Sequence, residues 1–125
     1  MNTPANLKYA KSDEWFDPET GKIGITDYAQ NQLSDIVFIE IFVDEGETIE
    51  AGKAIASIES VKASSEIYAP AGGKVTAVNK DLINKPETIN TDAFGEAWMI
   101  QLEGASAGDV MDAAAYEKHC EERSH

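Results

Sequence analysis

The chain has 125 residues, 42% of them hydrophobic and 26% charged, enough for one compact domain over residues 1–125 and too little for two independent cores. Ten Lys and Arg against 23 Asp and Glu leave a formal charge of -13, a field that repels phosphate backbones and anionic lipid and so excludes nucleic-acid and membrane partners. The apolar runs are far too short to span a bilayer, and the opening MNTPANLKYAKSDEW has neither an apolar signal core nor an Arg-rich transit character, which predicts a soluble, cytoplasmic protein.

In chain order, Leu7 to Ala10 and Lys22 to Ile25 read as short strands. The turn formers Asp17-Pro18-Glu19-Thr20-Gly21 between them predict a hairpin. Thr26 is placed to cap a two-turn helix over Asp27 to Leu33, with Asp27 at its positive end. Asp35 to Val43, DIVFIEIFV, is nearly all β-branched or aromatic and predicts a strand covered on both faces at the centre of the fold. Strands are then expected over Lys53 to Val61, Ser64 to Ala69, Lys74 to Asn79 and Trp98 to Glu103, with turns at Asp44 to Glu47, Ala51-Gly52 and Pro70 to Gly73. That spacing indicates a mainly β protein, a small sandwich or barrel.

Toward the carboxyl end, Ser106 and Asp109 resemble a capping box ahead of a helix containing Val110, Met111, Ala114 and Ala115, and the polar KHCEERSH is expected to fray. Glu47-Thr48-Ile49-Glu50 is echoed by Glu87-Thr88-Ile89-Asn90, which fits either two similar halves or coincidence. Lone Cys120 can form no internal disulfide, and with only His119 beside it no metal site is expected. The acidic cluster Asp44, Glu45, Glu47 and Glu50 lacks calcium-loop spacing and reads as a solvated turn. Trp15, Phe94 and Trp98 read as core in preference to a ligand pocket.

The segment carrying chemistry is Ile58-Glu59-Ser60-Val61-Lys62-Ala63-Ser64-Ser65-Glu66. Two strand-like runs meet there without Gly, Pro, Asn or Asp, so the chain must reverse around Val61, Lys62 and Ala63. A turn centred on Lys62 would set Ser60 opposite Ser64 and Glu59 opposite Ser65. The amine would then stand clear of small neighbours. Such a lysine fits a substrate for a modifying enzyme, but spacing alone favours an ordinary solvated lysine, since exposed lysines are common.

ESVKASSEIYAP, preceded by KYAKSDEW and GITDYAQNQLSDIVFIEI, closely resembles the glycine cleavage H-protein family, over about Leu7 to Tyr116. The resemblance implies a fold like the lipoyl and biotinyl carriers, a flattened β sandwich (barrel-sandwich hybrid) with short flanking helices. It implies a lipoyl group, from lipoate, in amide linkage to Lys62. Biotinyl domains resemble Met-Lys-Met at this tip and dehydrogenase-complex lipoyl domains Asp-Lys-Ala, whereas this chain has Val61-Lys62-Ala63. Its segments Met1 to Leu33 and Gly104 to His125 match the H-protein layout and have no counterpart in the minimal carriers.

The implied function is that of a carrier with no catalytic residues. The arm on Lys62 would receive an aminomethyl group from the decarboxylating glycine dehydrogenase, deliver it to an aminomethyltransferase, and return electrons to dihydrolipoamide dehydrogenase. A lipoyl-attaching enzyme is a further implied partner, and a monomer is expected. An H-like paralogue relaying for another pathway is the alternative. The resemblance also places Ser12, Glu14 and Glu66 near a cleft for the loaded arm, with Tyr28 where the family often has His. Glu14 or Glu66 would pair with the arm's ammonium, and Glu14 would matter little to thermal stability. Asp13 also stands where His is frequent, and Ser34 where Gly is usual.

Overall fold

The N-terminal residues form a three-stranded meander in place of the expected hairpin. In this computed structural model, which describes residues 3–123, strand β1 (Lys8–Ala10) pairs with β2 (Glu14–Phe16), and β2 with β3 (Lys22–Ile25), setting Tyr9 against Trp15 and Trp15 against Gly24. Strand β2 escapes a reading by alternation because Glu14, Trp15 and Phe16 are all buried. The anticipated turn therefore joins β2 to β3, and Gly21 makes it possible. Its φ is +80°, its N–H donates to Asp17 O, and an added Cβ would lie 2.0 Å from the carbonyl oxygen of Leu102.

Helix α1 (Asp27–Leu33) starts as expected, with Thr26 Oγ1 accepting from Ala29 N at 3.2 Å. Strand β4 (Ile36–Ile41) corrects an expectation. Ile36 and Ile39 are buried, but Val37 and Phe38 are about half exposed, and the strand lies at the edge of a three-stranded sheet ordered β4-β6-β7. Its continuous apolar run reflects one core face and one surface face. Strands β6 (Ala54–Ser60) and β7 (Ser64–Tyr68) complete that sheet as an antiparallel hairpin.

The second sheet has seven strands in the order β10-β1-β2-β3-β9-β8-β5. It adds β5 (Thr48–Ile49), β8 (Ala71–Val78), β9 (Ile100–Ala107) and β10 (Val110–Met111). Short helices α2 (Lys80–Asn84) and α3 (Thr88–Thr91) follow β8. The sequence echo has no structural counterpart, since Thr48–Ile49 is strand while Thr88–Thr91 is helix. What the two copies share is one buried isoleucine each.

The C-terminal helix α4 (Ala113–Arg123) begins later than expected. Ser106 is paired with Gly72 in the β8–β9 ladder and cannot cap; Asp112 accepts from Ala115 N at 2.9 Å instead. Nor do residues 118–123 fray, because Cys120 is buried and Arg123 is ion-paired; Ser124 and His125 lie outside the described residues.

The main core lies between the sheets, with Ile39, Ile55, Ile58, Val75 and Ile100 all buried. Truncating one such isoleucine to Ala costs about 2–5 kcal/mol. A second cluster joins Leu7, Tyr9 and Trp15 to Tyr116 and Cys120 of α4. Tyr9 and Tyr116 stack there with ring centroids 4.8 Å apart. Trp15 is core as expected, donating from Nε1 to Ala93 O at 2.9 Å. Phe94 and Trp98 are only half-buried and border a surface depression beside Lys22, so their aromatic bulk does not translate into full burial. Among the described residues no helix is long and apolar enough to cross a membrane.

Candidate functional site

Lys62 sits at the tip of the β6–β7 hairpin in a two-residue loop. Glu59 pairs with Ser64 and Ile58 with Ser65, one residue out from the register the sequence suggested, so Ser60 and Ala63 flank a Val61–Lys62 tip. The tip needs no glycine because Ser60 supplies the missing turn chemistry. Its Oγ accepts from Lys62 N at 3.1 Å and Ala63 N at 3.0 Å, while Ser60 N donates to Ala63 O at 2.8 Å. Val61 N donates to Asp35 O at 3.0 Å, which ties the tip to the start of β4. The backbone of the tip is thus fixed while the Lys62 side chain is exposed, with no partner for its amine among the described residues.

Strand β7 is the other edge of this sheet, and Glu14 closes it. Glu14 Oε2 accepts from Tyr68 N at 3.1 Å, and Ser12 Oγ donates to Glu14 Oε1. A carboxylate from the N-terminal meander therefore caps a strand edge of the lysine-bearing hairpin. Glu14 is wholly buried. Burial raises its carboxyl from an ordinary 4.5 to about 7, against the pull of the Ser12 and Tyr68 hydrogen bonds and with a further push from Asp13. Both oxygens are thus engaged inside the protein, an environment unlike that of an exposed acid facing a bound arm.

Asp13, between Ser12 and Glu14, has φ +78° and turns its side chain the other way. Its Oδ1 accepts from Tyr116 Oη at 2.8 Å and Arg123 at 2.6 Å, and its Oδ2 takes a second Arg123 hydrogen bond at 3.2 Å. With Tyr116 donating to the carboxylate, the 2.6 Å contact between Thr26 Oγ1 and Tyr116 Oη must have Thr26 as donor. A directed chain runs from the cap of α1 through Tyr116 to Asp13. The tyrosine hydroxyl is held far above its ordinary range, first by burial. The Arg123 guanidinium also lies over the Tyr28 ring, 4.5 Å from its centroid.

These contacts border a small cleft of about 140 Å³ between α1 and β7, reached by Ser12, Asp13, Leu33, Ser65 and Ile67. Of the residues singled out from sequence, Ser12 lines this cleft and Glu14 lies behind it. Tyr28 flanks it through Arg123 and Asp13. Glu66 is exposed and alternates with Ser65 and Ile67, so it stands on the opposite face of β7. Sequence reasoning missed Arg123 and Tyr116, which are 110 and 103 residues from Asp13 and reach it through no sequence motif. The Asp13 carboxylate was visible as a departure from His, but not its partner.

The chain as a whole is similar to known proteins. The model of the family described as glycine cleavage H-protein matches residues 7–123. A glycine cleavage system H protein of Acidobacterium capsulatum is 50% identical over 129 aligned positions, covering 99% of this chain and 98% of that protein. One from Deinococcus radiodurans is 46% identical, covering 92% and 94% of the two chains. The crystal structure of a glycine cleavage system H protein from Mycobacterium marinum superposes with a TM-score of 0.83 at 28% identity, covering 98% of this chain and 99% of that one.

Proposed function

Because the chain belongs to the glycine cleavage H-protein family, and so acts as a lipoyl carrier of the glycine cleavage system, we propose that Lys62 is the residue that bears the lipoyl group. The observation that carries this reading is the hairpin tip itself, where the backbone is fixed by Ser60 and Asp35 while the amine is exposed and unpartnered among the described residues. An acylating enzyme needs an amine it can surround and a tip that holds still. Lysine also suits the task because its amine can be acylated, whereas the arginine guanidinium stays protonated.

The residues around the tip fit such a group. Leu33 and Ile67 supply apolar walls to the adjoining cleft, and Ser12 and Ser65 supply hydroxyls. When bound, a lipoyl group supplies a disulfide able to take up an aminomethyl group and two electrons. The chain's own part is to present that group and to offer a partly apolar recess that limits water. Glu14, with both oxygens engaged, serves that recess by holding β7 against the N-terminal meander. Glu66 instead faces solvent beside the tip, where it is available to an incoming enzyme.

The decarboxylating glycine dehydrogenase, the aminomethyltransferase and dihydrolipoamide dehydrogenase are the partners this reading implies, met in turn by an acidic protein of charge -13. Complementary charge would speed those encounters more than it tightens them. The chain is then a substrate of each enzyme and a catalyst of none. Intact-mass measurement of protein produced with lipoate and a lipoyl-attaching enzyme tests the attachment. Wild type should gain one lipoyl group and Lys62→Arg none, with the same thermal unfolding for both; modification of Lys62→Arg would move the site to another lysine.

A further inference from the structure

Strand β4 carries an irregularity beside the lysine. Ile36 pairs with Ser60 and the next paired residue, Phe38, pairs with Glu59, so Val37 is an extra residue in the ladder. This is a β-bulge, and it turns two adjacent large apolar side chains to the surface, Val37 at 54% and Phe38 at 49% exposure. A regular strand would have buried one of them. The bulge adjoins the tip, since Asp35 O accepts from Val61 N and Val61 is itself 66% exposed. Around it stand the exposed carboxylates of Asp35, Glu40 and Glu59.

We propose that the Val37–Phe38 bulge is the apolar anchor on which the lipoyl-attaching enzyme docks, through an apolar pocket rimmed by basic side chains. The inference rests on the reading of Lys62 as the acylated residue and adds to it where the enzyme holds on. Two arguments single out this occupant. An enzyme that acts on the bare amine must touch protein surface within one lysine side chain of the tip, whereas enzymes acting on the extended arm need not. A second copy of this chain would bring acid against acid, while a basic rim would find Asp35, Glu40 and Glu59 complementary. A half-exposed aromatic at the centre of such a patch is the kind of residue that dominates binding energy.

In the transfer itself, the Lys62 Nζ attacks the acyl carbon of a lipoyl-adenylate. The C–N amide bond forms as the acyl–phosphate C–O bond breaks, AMP leaves with the electron pair, the amine proton passes to solvent, and no oxidation state changes. The bulge takes no part in that chemistry, so its loss should act on encounter and not on turnover.

The test measures lipoylation of full-length protein by a purified lipoate–protein ligase supplied with lipoate and ATP, following intact mass over time. Phe38→Ser should lower kcat/KM about tenfold or more, through KM, with kcat and thermal unfolding unchanged, and Phe38→Leu should restore most of the rate. Wild-type kinetics in Phe38→Ser would overturn the proposal, as would a wild-type dimer in sedimentation that Phe38→Ser dissolves. A wild-type chain that gains no lipoyl mass would instead sink the Lys62 assignment beneath it.

Discussion

The lysine hairpin and the segment 12–14 lie on either side of one small cleft and are built on opposite terms. At the hairpin the backbone is tied through Ser60 and Asp35, while the exposed Lys62 amine has no partner among the described residues. In segment 12–14 it is the side chains that are tied: Ser12 and Glu14 to each other and to Tyr68, Asp13 to Tyr116 and Arg123. The first arrangement frees a nucleophile for partners, and the second fixes the wall beside it. The two meet at Glu14, whose carboxylate caps the edge of the strand that descends from the lysine.

The sharpest way to probe the tied side is through that carboxylate. Burial raises Glu14 from 4.5 in its ordinary state to about 7 in the fold, so the folded chain binds this proton more tightly than the unfolded chain does. The associated stability is fully present below the unfolded value and is lost as pH rises through the folded one. Glu14→Gln stays neutral throughout, retains an oxygen acceptor and should remove that loss. Urea unfolding from pH 4.5 to 8.5 should show the variant gaining on wild type as pH rises, approaching about 3 kcal/mol above pH 7. Carboxylates common to both proteins cancel in the difference. Parallel stability curves would mean that Glu14 titrates as an ordinary acid and that its burial does not govern its charge.

Tyr116→Phe strikes the latch of α4 at its centre. It deletes one hydroxyl, leaving the buried Thr26 Oγ1 without the acceptor it donates to and Asp13 with Arg123 alone. The expected loss is about 2 kcal/mol by thermal or urea unfolding. The lipoylation proposed at Lys62 should continue at the wild-type rate, because the hydrogen bonds of Tyr116 run to Thr26 and Asp13 and not to the hairpin tip. A slowed lipoylation would show that the two regions are coupled more tightly than through Glu14.

The same contrast explains what could be read from sequence. Lys62 and its hairpin are legible because a turn of this kind is encoded within a few residues, although the register came out one residue off. The sequence shows a reversal without glycine but not that the Ser60 hydroxyl organises it. The H-protein resemblance in ESVKASSEIYAP carried the family and the two-sheet architecture. Strand β2 and the latch were not legible, because Glu14–Phe16 is buried on both faces and lacks a period, and Asp13 meets its partners only after more than 100 residues of chain. The bulge in β4 was hidden for a related reason: DIVFIEIFV reads as a doubly covered strand whether Val37 is in register or not.

The smallest effect is expected at the end of α1, where Ser34 is held through its backbone N–H and C=O. Ser34 has φ 65° and ψ −151°, a conformation that burdens any residue with a Cβ. It is retained because the backbone is used on both sides: Ser34 N donates to Gln30 O at 2.9 Å, and Ser34 O accepts from Asn90 Nδ2 at 2.8 Å. Asn90 Oδ1 in turn accepts from Ile36 N at 2.9 Å, so the residue fixes how α1 hands the chain to β4. Ser34→Gly keeps each of these backbone groups and removes the strain, while it enlarges the freedom of the unfolded chain. Relief of the strained conformation should exceed that entropic loss, for a net gain of about 1 kcal/mol. The measurement is the shift in urea midpoint at constant slope. A loss of stability would show that Ser34 is not strained in solution, and the path from α1 into β4 would then need another explanation.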